Sequence, residues 1–345
     1  MATPSSGQIS ATNISDEFGR NLAGNQMSLG GYRLSQTVGS LSFNGIDNGV
    51  PSSGEIKFSD FYNKRLNVVV DFHSGLQESR QNAKNRYNAN NITVIGGFRG
   101  KKEAGSKILI HVNKTIGSAK GNQANVALRT GTWQSDVVLS VDVGSSGRLY
   151  GAGGDGGEGA DSFSDAGSQN GTSGGNGTSA LGIEHEETTV NVQSGGKIIC
   201  GFGGGGGGSG ARQKDSGSDR SACGGGGGGG AGLPAGAGGD RGRRRSGNED
   251  EVTTGFDGGA GQLEENGEGG SGGNNADEAF GGSGGRGGDP FESPAAGNGG
   301  SPGDGSSVGG AGANGAAIRR TNSNIQVDVV SGGQITGDST ATGVA

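Results

Sequence analysis

The glycine spacing between Gly151 and about Ala317 constrains this chain most, and that stretch holds about 60 of its 83 glycines. In several runs the other residues fall at every third position: Ala152, Asp155, Glu158 and Asp161; Glu268, Ser271 and Asn274; Ser283, Arg286 and Asp289; Asn298, Ser301 and Asp304; Ala311, Asn314 and Ala317. A polyproline-II-like backbone completes a turn in three residues and makes no internal hydrogen bonds, so its amides and carbonyls need partners elsewhere. Neighbouring backbones can supply them only where no Cβ stands between. A Gly-Gly-x repeat leaves two faces bare and sends the third to solvent. The spacing therefore predicts a bundle of about ten polyglycine-II helices, with the pure glycine runs Gly203–Gly208 and Gly224–Gly230 at its centre. Collagen would need abundant proline, and the chain has 6. Composition without the spacing would point to a disordered linker.

Outside this stretch the chain is sparing with apolar residues. At 28% hydrophobic and 5% aromatic, 345 residues cannot build one large core, so two or three dissimilar modules are expected. A net charge of −7 gives no support to a nucleic-acid partner, and the basic cluster Arg241 with Arg243–Arg245 is local. The start, MATPSSGQIS, has neither a basic nor an apolar leader segment, and no stretch approaches the roughly 18 apolar residues of a membrane span. A protein made in a cytoplasm, without membrane insertion, is expected. Cys200 and Cys223 each precede a pure glycine run and are expected as free thiols.

Residues 1–64 carry an echo, SSGQIS at 5–10 and SSGEIK at 52–57, each followed by a short helix-like piece with Asn13 and Ser59 as expected N-caps. Their apolar set is too small for an independent core, so the segment caps the next domain, docks on a partner or forms a homotrimer. Residues 65–150 have strand texture in NVVVDF, NITVIGGF, KILIHV, NVALRT and DVVLSVDV, which predicts an antiparallel β-domain, with a polar and partly helical insert at 79–91. VDVGSSGRLYG at 141–151, VNVQSGGKIIC at 190–200 and VDVVSGGQITG at 327–337 repeat one another and predict three β-hairpins. The expected division is 1–64, 65–150, 151–317 with the inserted hairpin 188–200, and 318–345. The fold class is thus mostly β plus polyglycine-II, with hairpin units at one end of the bundle.

About two glycine runs separate the first two hairpin units and about eight separate the second from the third. Both counts are even, so up-and-down runs return each time to the hairpin end. The far loops are then Ser162–Asn170, Arg212–Ala222, Arg243–Thr254, Asn275–Phe280 and Ser306–Val308; Leu233–Pro234, Gln262–Asn266 and Asp289–Ala296 stay near. The far loops supply the candidate receptor contacts Phe163, Arg212, Lys214, Asp219, Arg220, Arg243, Arg244, Arg245, Glu249, Asp250, Glu251, Asp277, Glu278 and Phe280.

The sequence offers little to catalysis. His73, His111 and His185 sit in unrelated contexts, HEET at 185–188 lacks a second histidine, and no glycine run reads GxxxxGK[ST]. No enzyme, metal or cofactor is expected. The Asn-x-Ser/Thr sites at Asn13, Asn91, Asn113, Asn170 and Asn176 matter only in a secretory pathway.

The segment SSGQIS…EFG…SLGGYR…GVPSSGEIKFSDFYN resembles the N-terminal module of tail-fibre and virion structural proteins of tailed bacteriophages. GSKILIHVNKTIGS, ALRTGTW and DVGSSGRLYGAGGDGGEGA resemble cyanophage-type virion proteins, and GAGANGAAI…SGGQITG the close of tail-fibre glycine-rich regions. The glycine-rich part is similar to tail-fibre tip adhesins, whose polyglycine-II sandwich presents receptor-reading loops at its distal edge. The resemblance implies a virion tail protein, assembled in the host bacterial cytoplasm, that joins other tail or fibre proteins through residues 1–64 and meets a host surface glycan or outer-membrane protein. A baseplate, tail or decoration subunit with no receptor contact is the alternative. Ice binding would need a weakly charged face, which Asp155, Glu158, Asp161, Glu268 and Arg286 deny.

Overall fold

The structure, a computed structural model, describes residues 3–18, 29, 36–38, 41–43, 50–51, 53–65, 67–72, 87–88, 106–133, 135–161, 170–215, 218–243, 251–275, 279–301 and 307–344. Near the N-terminus lie helix α1 (Ala11–Phe18), the antiparallel pair β1 (Gln36–Val38) and β2 (Leu41–Phe43), and a single 3-10 turn at Phe58–Phe61. The expected caps are each displaced. Ser10 caps α1: its Oγ accepts the Asn13 amide at 3.1 Å while Asn13 Oδ1 accepts the Ser10 amide at 2.9 Å, so Asn13 is the reciprocal partner three residues in. Ser59 lies inside the 3-10 turn, where the Lys57 amide donates to Asp60 Oδ2 at 2.7 Å.

The strands then follow in five coils. These are β3 (Val68–Phe72) and β4 (Tyr87–Asn88); β5 (Lys107–Val112), β6 (Thr115–Gly117) and β7 (Val126–Arg129); β8 (Val138–Val143), β9 (Arg148–Tyr150) and β10 (Ser179–Ile183); β11 (Thr188–Val192), β12 (Lys197–Ile199) and a strand met at Ile318–Arg320; and a last coil from Val327 to Thr342. Between β12 and Ile318 come β13 (Ala211–Asp215), β14 (Ser218–Ala222), β15 (Glu251–Thr253), β16 (Asn274–Asn275) and β17 (Ala279–Phe280). The chain then ends with β18 (Ile318–Arg320), β19 (Val327–Ser331), β20 (Gln334–Thr336) and β21 (Ala341–Thr342).

Every pairing within the coils is parallel, which corrects the antiparallel expectation for 65–150. Three sheets result, ordered β19-β11-β8-β5-β3, β20-β12-β9-β6 and β21-β18-β10-β7-β4. The molecule here is a three-faced solenoid. The near-continuous apolar runs of β5 and β8, typical of parallel sheets, are the sequence trace of this arrangement. NITVIGGF lies outside the described residues, and of the polar insert at 79–91 only Tyr87 and Asn88 are described, as a strand.

The three repeated segments are corners of this solenoid and not hairpins. In each, the strands on either side of the glycine turn belong to different sheets, and each pairs with its counterpart in the next coil: Val141 with Val190, and Leu149 with Ile198 and that with Ile335. A Gly-containing turn of this length has the same sequence signature whether the chain reverses or rounds a corner. Between the last two coils the first face slips by two, so that Val190 pairs with Val329 and not with Val327, while Lys197 keeps Gln334. A slip of two preserves which side chains face inward.

Val70, Phe72, Ile108, Ile110, Leu128, Val141, Val190 and Ile318 line one apolar interior. Ile14 and Phe61 are fully buried in the same cluster, so the N-terminal segment packs against the solenoid core. Lys64 N donates to Thr3 Oγ1 at 2.9 Å, and Tyr62 donates to the Gly7 carbonyl, closing that segment on itself.

Two successive coils open at one corner, after β9 and after β12, to emit the glycine-rich runs. Among the described residues these runs, neither helix nor strand, span 151–161, 170–178, 201–210, 223–230, 235–243, 254–262, 265–273, 281–289, 293–300 and 307–315. Consecutive amides of 224–230 donate in rotation to three different runs: Gly224, Gly227 and Gly230 to Ala160, Gly157 and Gly154; Gly225 and Gly228 to Gly282 and Gly285; Gly226 and Gly229 to Phe256 and Gly259. Its carbonyls accept from three more, such as Gly239 to Gly227, Gly208 to Gly225 and Gly270 to Gly226. The run 203–208 is surrounded in the same way, bonded to 151–161, 170–178, 223–230, 281–289, 293–300 and 307–315. Partner numbers run in opposite order between 223–230 and 151–161, 201–210, 235–243 and 265–273, and in the same order between 223–230 and 254–262 and 281–289, so consecutive runs alternate in direction.

Surface runs lack a neighbour on one side, and polar side chains cover the exposed amides. Asp155 Oδ1 accepts Ala237 N at 2.7 Å, Asp161 Oδ1 accepts Arg243 N at 2.7 Å, Asn176 Oδ1 accepts Ala313 N at 2.8 Å and Asp257 Oδ1 accepts Arg241 N at 2.9 Å. The third-position residues therefore lace the outer runs together.

Substitutions at three positions test this lattice. A Cβ on Gly227 would stand 2.1 Å from the Gly205 carbonyl oxygen, whereas at Gly310 the nearest atom is 3.6 Å away. Gly227→Ala is expected to cost about 3 kcal/mol in denaturant unfolding, and Gly310→Ala about nothing or a slight gain from a stiffer unfolded chain. Asp161→Ala should cost about 1 kcal/mol while Asp161→Asn, which keeps an acceptor oxygen, is tolerated.

Candidate functional site at the end of the runs

The alternation gives the glycine region two ends. The near end adjoins the solenoid and carries the connections 231–234, 263–264 and 290–292; the far end carries β13–β14, β15, β16–β17 and the start of the last run.

The near end is tied down. Glu264 accepts from Lys197 Nζ at 2.5 Å and from the Tyr150 hydroxyl at 2.5 Å, joining a loop of the bundle to the second face of the solenoid. Burial opposes the charge on Glu264, but the bonds from Lys197 and Tyr150 and the charges of Lys197 and Arg148 outweigh it and hold its pKa below the usual value. Burial, then the Glu264 bond and charge, push the Tyr150 phenol well up. Lys120 Nζ meets Asp155 Oδ1 at 2.5 Å, and Gln123 Nε2 donates to the Asn314 carbonyl at 2.8 Å. Cys200 and Cys223 are buried thiols at opposite ends of the runs, and burial raises the Cys200 thiol to about 12.

The far end is a small sheet on a platform of glycine runs. β13 and β14 pair antiparallel and β15 joins β14 in parallel, with the β16–β17 hairpin against them. Ala211, Ala222 and Ala279 form the small apolar contact beneath, and Ser221 is fully buried. Phe280 N donates to the Ser301 carbonyl at 2.7 Å and Ser301 N returns a bond at 2.8 Å, which anchors the hairpin to the neighbouring run. Phe280 is nevertheless 38% exposed, and Phe256 at 65% and Val308 at 38% share this end.

Of the sequence candidates, Arg212 and Lys214 stand on β13, Asp219 and Arg220 on β14, Glu251 opens β15, Phe280 closes β17, and Arg243 ends a run. Phe163, Arg244, Arg245, Glu249, Asp250, Asp277 and Glu278 lie outside the described residues. Register sets Lys214 opposite Asp219 and Arg220 beside Glu251, so opposite charges occupy paired positions. Arg243 Nη2 lies 3.3 Å from Asp240 Oδ2 with both side chains well exposed, a geometry that contributes little stability. Phe256 and Val308 are not among the sequence candidates: each lies near the start of a run, Phe256 directly after Gly255 and Val308 directly before the pair Gly309-Gly310.

His111 belongs to a row of polar residues stacked across the coils. Pairing aligns His111, Asp142 and Asn191 in successive coils; His111 Nε2 is 3.6 Å from Asp142 Oδ2, and Asn191 and Gln193 donate to the same buried carboxylate at 2.7 and 2.9 Å. Among the described residues no His, Cys, Asp and Glu group is arranged to hold a metal, and no helix is long and apolar enough to cross a membrane.

The family model for the phage tail fibre adhesin Gp38 matches residues 68–340, from the first solenoid strand to the last coil. The chain belongs to that adhesin family. As a tail fibre adhesin it is a component of the phage tail, with a role in attachment. Among solved structures, the crystal structure of the gp37-gp38 adhesin tip complex of the bacteriophage S16 long tail fiber is similar at 18% identity, over 97% of this chain and 99% of that one, with a TM-score of 0.37. No curated protein matches the chain.

The near-end link sets a pH dependence for this adhesin. Because the Glu264 pKa is lowered on folding, the stabilisation is present above the ordinary glutamate pKa and lost as pH falls through the folded value. Amide protection around 262–266 should accordingly drop on acidification relative to the glycine runs, and Glu264→Gln should remove that drop.

Proposed function

We propose that this adhesin forms the tip of a tail fibre, with its glycine runs folded as polyglycine-II helices that hold a receptor-binding rim away from the fibre. The observation that carries the reading is the strict alternation of the runs, since it gathers β13–β17 at the end away from the solenoid. Residues 1–64 join the chain to other fibre proteins, and the bundle 151–317 is the receptor-directed part. Assembly takes place in the host bacterial cytoplasm.

At the rim, the exposed apolar residues Phe256, Phe280 and Val308 carry the contact with a host outer-membrane protein or surface glycan. Of the charged candidates on β13–β15, Lys214 and Asp219, and Arg220 and Glu251, occupy paired positions and contribute mainly solubility, while Arg212 is paired with Ser221. That pairing also favours a second reading, a stiff tail or baseplate spacer with no receptor contact. Binding of the isolated protein to host cells separates the two readings.

Within the first reading, Phe256→Ala with Phe280→Ala should lower adsorption to host cells by about tenfold or more, a loss of about 1.4 kcal/mol or greater. Arg243→Ser should leave adsorption within about twofold, as expected of an exposed, solvated pair. Unchanged adsorption for the aromatic double variant would remove the apolar rim from the receptor claim.

A further inference from the structure

Five Asn-Gly pairs fall in the described glycine region: Asn170, Asn176, Asn266, Asn298 and Asn314 with the glycine after each. This is the dipeptide most open to spontaneous deamidation, because an unhindered glycine nitrogen can reach the asparagine side chain. In four of the five that nitrogen is held by a neighbouring run. Gly171 donates to Ser307, Gly177 to Ala313, Gly267 to Gly229 and Gly315 to Gly201, at 2.8–2.9 Å, and all four glycines are buried.

Gly299 is different. It is exposed, nothing lies within 4 Å of where its Cβ would be, and among the described residues its amide has no partner. Asn298 is itself anchored: its amide donates to the Ser283 carbonyl at 2.8 Å, its carbonyl accepts Ser209 N at 3.1 Å, and its side-chain Nδ2 donates to Ser283 Oγ at 2.6 Å. The reacting carbon is therefore held while the attacking nitrogen is free.

We propose that Asn298 is the deamidation site of the described glycine bundle, and that the backbone lattice protects the other four asparagines. The Gly299 nitrogen bonds to Asn298 Cγ as ammonia leaves, giving a cyclic imide; water then opens one of its two carbonyls, leaving aspartate or isoaspartate at 298. Each product adds a negative charge, and isoaspartate also inserts the side-chain methylene into the backbone. Ser301, three residues on, holds Phe280 by two hydrogen bonds, so the change falls beside the far-end rim. The chemistry stands whether or not that rim binds a receptor.

Peptide mass mapping of the folded full-length protein, aged in mildly alkaline buffer, tests this. Asn298 should convert at least about tenfold faster than Asn170, Asn176, Asn266 and Asn314, equivalent to about 1.4 kcal/mol of local opening at those sites. The same protein aged in denaturant should lose the difference. Gly299→Ala, which has room for its methyl group, should slow conversion at Asn298. Equal rates at all five sites in the folded protein, or a slower Asn298, would overturn the proposal.

Discussion

Direct hydrogen bonding between neighbouring backbones in the glycine runs is the interaction on which the structure depends. Each amide of 224–230 reaches a different run in turn and returns to the first after three residues, so one run can satisfy all its polar groups only inside a ring of others. Contacts this close exclude side chains. A Cβ at Gly205, Gly206 or Gly207 would stand about 2 Å from a carbonyl oxygen, and the two runs surrounded on all sides are the two that are pure glycine. Stability in this half of the molecule comes from peptide groups, which accounts for a chain with so little apolar surface to bury.

The solenoid imposes the second constraint. Both insertions leave from its second face and return to its third, at one corner of consecutive coils, after β9 and after β12. A chain that leaves and returns at one corner must travel out and back an equal number of times, hence the two runs of the first insertion and the eight of the second. The same requirement collects all intervening strands at the opposite end. Glu264, Lys197 and Tyr150 fix the near end, where Leu263 and Phe291 are also exposed, and the strands β13–β17 with Phe256, Phe280 and Val308 occupy the other.

Much of this was legible in the sequence, because a period of three leaves a direct trace in glycine placement and parity follows from counting. The three repeated segments do stack as equivalent units, but their local pattern reads as a hairpin. A strand, a Ser-Gly turn and a second strand have one local signature in both structures. What distinguishes them is whether Leu149 pairs within its own coil or with Ile198 in the next, and that information is not local. The near-continuous apolar runs KILIHV and VVLSV are the local trace of the parallel pairing. At the far end the sequence draws attention to charge, of which register sets Lys214 opposite Asp219 and Arg220 beside Glu251, and passes over Phe256, whose exposure depends on which side of its run lacks a neighbour.

Amide hydrogen exchange across Gly203–Gly208 and Gly224–Gly230 tests the central claim most directly, since no side chain there contributes to protection. The lattice requires these amides to be among the slowest in the molecule, comparable with the strands β5, β8 and β11. Exchange at the rate of a free glycine peptide, with the solenoid strands still protected, would contradict it.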